Sequence, residues 1–267
     1  TAGQKFMPGV PMVGVFDTAF HQPMPQKAFL YGIPYEYYEK YKVRRYGFHG
    51  TSHSYVSKRT AHLCGLDLNN SKIIVCHLGN GASISAVKNG ESIDTSMGLT
   101  PLEGLFMGTR CGDIDPAIIE FIAHKENLSI DEIMETLNKK SGMLGLSGIS
   151  SDSRDLEDAA LKGHEGAKRT IEAYNYRVAK YIGSYITALN GVDAGALTAG
   201  VGENNPDLRT KVCSYLEFLG ININQEKNRI RGEEVVISTD DSKVKVCVVP
   251  TNEELAIARE TLEIVNK

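Results

Sequence analysis

The stretch from Ile73 to Pro116 constrains this chain more than any other. It opens on Ile73-Ile74-Val75-Cys76, a short apolar run of the kind buried in a sheet. The chain then turns at His77-Leu78-Gly79-Asn80-Gly81. Two alternating segments follow, Ala82 to Val87 and Glu91 to Thr95, and read as a hairpin. The stretch closes on small and charged residues, Gly108-Thr109-Arg110-Cys111-Gly112-Asp113-Ile114-Asp115-Pro116. Glycines on both sides of Asn80 let the backbone come close to a bulky anion and aim amides at it. Strand, turn and hairpin together describe a phosphate-holding loop at one end of a sheet, although an ordinary hairpin corner has the same composition. The polar cluster around Arg110 favours the first reading.

Other polar residues gather where apolar runs end. Pro11 to Thr18 reads as a short strand closing on Asp17, and chemistry in open α/β folds collects at the carboxyl ends of strands. Asp17 suits a magnesium or phosphate site, or a turn. His49 sits in a glycine-flanked turn before a helix expected from His53 to about Cys64, capped by Thr51 or Ser52. Helices are expected from Pro116 and Ser129. After them a Gly/Ser-rich loop closes on Asp152-Ser153-Arg154, residues that can reach a nucleotide or cap a helix. Two amphipathic helices follow, Leu156 to Lys162 and Glu165 to Leu189. A second glycine-rich turn, Gly200-Val201-Gly202-Glu203-Asn204, lies between a strand and a helix expected from about Asp207 to Leu219. Small residues there admit a base or ribose to the helix amides. The last strands, Val235 to Ser238 and Val244 to Val249, lead to Glu253 at a strand-to-helix junction, where a cap and a metal-site acid are equally at home. The order of elements indicates an α/β fold with a mixed sheet.

Composition removes several classes. A net charge of −4 over 267 residues gives no field to gather nucleic acid or membrane, so an anion must be held locally. No run approaches the about 18 apolar residues of a membrane span. Five cysteines without CxxC spacing fit reduced thiols in a cytosol better than disulfides or zinc. The chain opens at Thr1 in a polar stretch, as a processed or cut polypeptide would.

Taken together these stretches resemble the acetate kinase family. The motifs are Val15-Phe-Asp-Thr-Ala-Phe-His21, Tyr46-Gly-Phe-His-Gly-Thr-Ser-His53, His77-Leu-Gly-Asn-Gly-Ala-Ser83, Pro101-Leu-Glu-Gly104, Gly108-Thr-Arg-Cys-Gly-Asp-Ile-Asp115, Gly148-Ile-Ser-Ser-Asp-Ser-Arg-Asp155, Ala199-Gly-Val-Gly-Glu-Asn204 and Thr251-Asn-Glu-Glu254. The resemblance implies the acetate and sugar kinase/Hsp70/actin superfamily. The fold expected from it is RNase H-like (actin-like ATPase), with a mixed five-stranded sheet flanked by helices and remnants of a second, similar half. Residues 1–18 would be one remnant, 19–254 the nucleotide-binding domain, and 255–267 a terminal helix packing on the N-terminal half, which family members carry and this chain lacks. The implied reaction is reversible transfer of the ATP γ-phosphoryl group to acetate, giving acetyl phosphate and ADP. Carried over residue by residue, Asp17, His49 and Arg110 are catalytic, and His77, Gly79, Asn80 and Gly81 hold phosphates. Asp152, Ser153, Arg154, Gly200, Val201, Gly202, Glu203 and Asn204 hold the nucleotide. Phe48 and Pro101 border the acetate methyl, and Asp17 and Glu253 place Mg²⁺, with Mn²⁺ as a substitute. A cytoplasmic homodimer is implied. The alternatives are a propionate or butyrate kinase, or a non-catalytic nucleotide-binding or dimerisation fragment.

Overall fold

The computed structural model describes residues 2–266; Thr1 and Lys267 of the two expected terminal segments lie outside them. A short helix α1 (Ala2–Phe6) opens the chain, and α2 (Gln26–Phe29) and α3 (Glu36–Tyr41) follow. Helix α4 (Gly50–Leu63) leads into β1 (Lys72–Leu78), β2 (Ala82–Lys88) and β3 (Glu91–Thr95). Then come α5 (Ala117–Glu126), α6 (Ile130–Lys139), α7 (Gly142–Ser147), α8 (Ser153–Leu161) and the long α9 (Glu165–Leu189). The chain re-enters the sheet with β4 (Ala194–Thr198), turns through α10 (Ala199–Asn204) and α11 (Pro206–Ser214), and returns as β5 (Val235–Val236) and β6 (Lys245–Val248). Helix α12 (Glu253–Val265) ends it.

Among the described residues the strands form one six-stranded sheet in the order β3-β2-β1-β4-β6-β5. Strands β1, β4 and β6 run parallel; β2, β3 and β5 run antiparallel to their neighbours. This is the mixed α/β architecture expected, with six strands where five were foreseen. The count of five comes from the family resemblance; the strand read from Val235 to Ser238 is present as the edge strand β5, only two residues long.

Period-two alternation divides the core between the faces of the sheet. Ile74, Cys76 and Leu78 with Ile84 and Ala86 pack under α9, against Tyr174, Val178 and Tyr185. Ile73, Val75 and Val87 face α4 and pack with Val56 and Ala61. The parallel strands therefore end together, and the turns after β1, β4 and β6 emerge on one edge.

Three expectations change. Residues 11–16 form no strand: among the described residues they have no partner strand, and Phe16 stays 73% exposed. Helix α4 begins three residues early, without a hydroxyl cap, because His49 takes a left-handed φ of 56° and starts the helix itself; Thr51 and Ser52 lie buried within it. The Gly/Ser-rich loop contains helix α7, and α8 starts at Ser153 with Asp152 as its cap.

Candidate active site

The turn after β1 folds tightly, with the Gly79 amide donating to the Gly81 carbonyl at 3.1 Å. Asn80 stands exposed at its tip, and its carbonyl accepts the Gly108 amide at 3.0 Å. A methyl group at Gly108 would lie 1.9 Å from Asn80 Oδ1, so the two polar turns approach as only glycine permits.

The start of α4 supplies a second wall. The His49 amide donates to Asp17 Oδ2 at 2.6 Å, and the Gly50 amide donates to the Asp17 carbonyl at 2.8 Å. Asp17 is thereby strapped to the helix N-terminus, where amides favour negative charge. The His49 ring stacks on His77 with centroids 4.1 Å apart, and its Nδ1 meets Ser83 Oγ at 2.9 Å. Its Nε2 faces the open side of Gly81: a methyl there would sit 3.4 Å from His49 Nε2 and 3.6 Å from Arg110 Nη1. Histidine and guanidinium thus border one small space. Arg110 is held by donating to the Pro101 carbonyl at 3.2 Å and leaning on Met107 Sδ at 3.6 Å. Burial pulls His49 below its ordinary pKa; the Asp17 charge opposes that and the Arg110 charge adds to it. The ring is accordingly neutral.

Glu253 opens α12 close enough to Asp17 to feel it. Burial first, then the Asp17 charge, push its carboxyl above the usual range. Among the described residues no group of three or more His, Cys, Asp or Glu side chains forms a metal cage. Two facing carboxylates do fit Mg²⁺, a hard ion that keeps several waters and takes phosphate oxygens as its other ligands.

A cavity of about 800 Å³ adjoins the Asn80 turn. Gly79 and Asn80 line it, as do Asp152, Ser153, Arg154, Gly200, Val201 and Asn204. Arg154 pairs with Asp152 at 2.6 Å and, by hydrogen bonding, holds that carboxyl at about 2, while Asp152 also accepts the Arg154 amide as a helix cap. Asp152 thus caps α8 and lines the cavity at once. Gly202 and Glu203 do not line the cavity. Gly202 is buried, and Glu203 Oε1 accepts the Ala199 amide at 2.7 Å and the Thr251 amide at 3.1 Å, clamping β4's turn to the end of β6. His77 is likewise buried, backing His49, with Nδ1 on Ser52 Oγ at 2.8 Å. Phe48 packs on the core, and its carbonyl accepts His21 Nε2 at 3.0 Å.

Reading the sequence missed Met143, Glu157, Asn205 and Arg231, which also line the cavity. Asn205 before Pro206 carries a cap signal, and it caps α11 while donating to Glu157. Arg231 donates to the Asn204 carbonyl at 2.6 Å. It arrives from an irregular segment with no local signature, so only folding reveals it.

A strand-end glycine turn facing a histidine and an arginine, beside a cavity of nucleotide size, coincides with what comparison finds. Residues 1–259 match the model of the acetokinase family. The chain belongs to the acetokinase family. An acetate kinase of Lachnoclostridium phytofermentans is 70% identical over 99% of this chain and 67% of the relative. One of Thermotoga maritima is 66% identical over all of this chain and 67% of the relative. The crystal structure of Porphyromonas gingivalis acetate kinase superposes with a TM-score of 0.97 at 51% identity, covering 99% of this chain and 66% of that one. A propionate kinase from Francisella tularensis superposes at 0.90 with 47% identity, covering 97% and 66%. The chain thus spans about two thirds of the length of its acetokinase relatives, and it has the mixed α/β fold of the acetate kinase structure it superposes on. Among the described residues no helix is long and apolar enough to cross a membrane.

Proposed function

We propose that this chain carries the larger part of an acetate kinase. An acetate oxygen attacks the γ-phosphorus of ATP while the bond to the β–γ bridging oxygen breaks and its electron pair leaves with ADP. Acetate is already an anion at neutral pH, so no general base is required. The residues therefore position and neutralise. Arg110 offers a planar fork to the carboxylate and to the phosphoryl oxygens, and His49 donates from Nε2 to the same oxygens. The Gly79–Gly81 turn cradles the β- and γ-phosphates, with His77 steadying the His49 ring behind it. Asp152, Ser153, Arg154 and the Gly200–Asn204 turn receive the nucleoside. Within that turn Gly202 and Glu203 act by shaping it. Phe48 and Pro101 border the acetate methyl. Asp17 and Glu253 would hold Mg²⁺ through oxygen and water, and the ion when bound would offset charge on the phosphates.

The observation that carries this reading is the space at Gly81 shared by His49 Nε2 and Arg110 Nη1, next to a cavity of about 800 Å³. The curated relatives favour acetate over propionate; one methylene is worth only about 1–3 kcal/mol in such a pocket. A cytoplasmic homodimer is part of the proposal, supported by the exposed tyrosines 35, 37 and 41 on and beside α3.

Hydroxamate trapping of acetyl phosphate tests the activity. Product should require ATP, acetate and Mg²⁺ together, and Arg110→Ala should lower turnover by about 10²–10³-fold or more. Equal turnover by parent and Arg110→Ala would remove the proposed role. Absence of product from the parent would favour a binding fragment.

A further inference from the structure

Four histidines from three separate segments meet behind the site. His21 and His53 rings lie 5.5 Å apart, His49 and His77 4.1 Å, and His53 and His77 6.1 Å. Serine hydroxyls are threaded between them. Ser85 Oγ lies 2.7 Å from His53 Nδ1, His53 Nε2 lies 2.7 Å from Ser83 Oγ, and Ser83 Oγ lies 2.9 Å from His49 Nδ1. His53, Ser83 and Ser85 are completely buried.

We propose that this chain of hydrogen bonds runs in one direction, from Ser85 through His53 and Ser83 to His49, and fixes His49 in the tautomer that carries its proton on Nε2. The inference rests on the role given to His49 above and adds Ser83, His53 and Ser85 as its positioning residues.

Donor and acceptor counting decides the direction. A neutral imidazole has one donor and one acceptor nitrogen, and a serine hydroxyl has one proton to give. Ser83, between two rings, accepts from one and donates to the other, because accepting from both would leave its own proton completely buried with no acceptor among the described residues. If His49 Nδ1–H donated to Ser83, then Ser83 would donate to His53 Nε2 and His53 Nδ1–H to Ser85. The Ser85 proton would then end with no acceptor among the described residues, at a position closed to bulk solvent. A buried unpaired donor costs about what a lost hydrogen bond costs. In that arrangement His49 would also turn a bare lone pair toward the space it shares with Arg110. Run the other way, every proton has a partner. Ser85 donates to His53 Nδ1, His53 Nε2–H to Ser83, and Ser83 to His49 Nδ1. His49 Nε2–H is left facing Gly81 and an incoming anion. The neighbouring ring obeys the same logic, since the Phe48 carbonyl can only accept, which makes His21 Nε2 a donor and its Nδ1 the acceptor from Ser92 at 2.8 Å. Burial pulls His21, His53 and His77 below the usual histidine pKa, so the one-donor rule applies to them, and the contacts from His53 through Ser83 carry the direction on to His49.

The charged groups facing His49 are Asp17 and Arg110, on other segments. Neither supplies or accepts a proton at Nδ1, so Ser83 alone sets the tautomer there.

Nitrogen NMR of the ¹⁵N-histidine-labelled chain, without substrate, reads the tautomer of each ring and so stands apart from any assay of activity. The expected result is protonated Nε2 at His49, with His21 as an internal reference of the same tautomer. Protonated Nδ1 at His49 in the parent overturns the proposal. In Ser83→Ala, His49 should become a mixture of both tautomers while His21 is unchanged, and kcat should fall about tenfold with little change in KM for ATP. Retention of pure Nε2–H in Ser83→Ala would overturn the role of Ser83. Should Ser83→Ala not fold, Ser85→Ala replaces it, with the same shift expected to begin at His53. Ser83→Thr, which keeps the hydroxyl, should restore the parent signal.

Discussion

The sheet and the histidines behind it bury nearly all their apolar surface, whereas residues 3–16 and helix α12 have no fully buried residue. Ile73, Ile84 and Val178 are fully enclosed. Phe16 and Leu262 are 73% and 63% exposed, and α12 has no buried residue at all. Yet the two halves of the polar site are divided between these regions. Arg110, His49 and the Asn80 turn belong to the well-packed body. Asp17 ends the exposed N-terminal segment, and Glu253 opens the exposed C-terminal helix. The hydrogen-bond donors for an anion thus rest on a well-packed core, and the carboxylates proposed for Mg²⁺ rest on edges whose apolar faces lack cover among the described residues.

The contrast is sharpest in packing. Ile84→Ala should destabilise the chain by about 2–5 kcal/mol in urea unfolding, because the cavity left in the sheet cannot collapse. A loss under 1 kcal/mol would show that the body is packed no better than the edges.

Acid should act on the body next. Burial, the main cause, holds His21 at about 4 and His77 at about 3, against about 6.5 for an unfolded histidine. The unfolded chain takes up protons below pH 6.5 that the folded chain refuses, so stability is full above that value and falls as pH drops toward 4. Each such ring contributes about 1.4 kcal/mol per pH unit in that window. Asp94 works against them, since burial raises it to about 6 and the folded state then gains a proton as pH falls. Burial also raises the carboxyls of Glu157 and Glu253, but the four lowered histidines outnumber these three, so urea midpoints should decline from pH 7 to pH 5. A flat or rising midpoint would mean that the rings titrate normally.

The smallest effect belongs to the edge. Leu262→Ala should change stability by no more than about 0.5 kcal/mol, as for an ordinary surface site. A loss comparable with Ile84→Ala would show that α12 is already packed, and the contrast would fail.

What could be read from sequence follows the same division. Strand β1 is legible as an unbroken apolar run because both its faces are filled within this chain, the Asn80 turn by its flanking glycines, and helix α9 because burial on one face writes a period into its residues. Residues 11–16 carry the same apolar run, but no strand pairs with them among the described residues, so the period misled. The start of α4 is not legible because no hydroxyl caps it: Asp17, distant in sequence, accepts the His49 and Gly50 amides there. The polar roles were half legible. Asp152 and Arg154 reach the cavity as expected from their turn, but Glu203, in an equally suggestive one, folds back on backbone amides. Arg231 reaches the cavity through a tertiary path that no short motif records.

The account depends on the edges and the body meeting at one anion. Calorimetric titration of ADP with and without Mg²⁺, in the parent and in the double variant Asp17→Asn/Glu253→Gln, tests this directly. Mg²⁺ should strengthen ADP binding to the parent by about tenfold, about 1.4 kcal/mol, and should leave binding to the double variant unchanged. The same Mg²⁺ enhancement in both proteins would separate the carboxylates from the nucleotide and contradict the shared site.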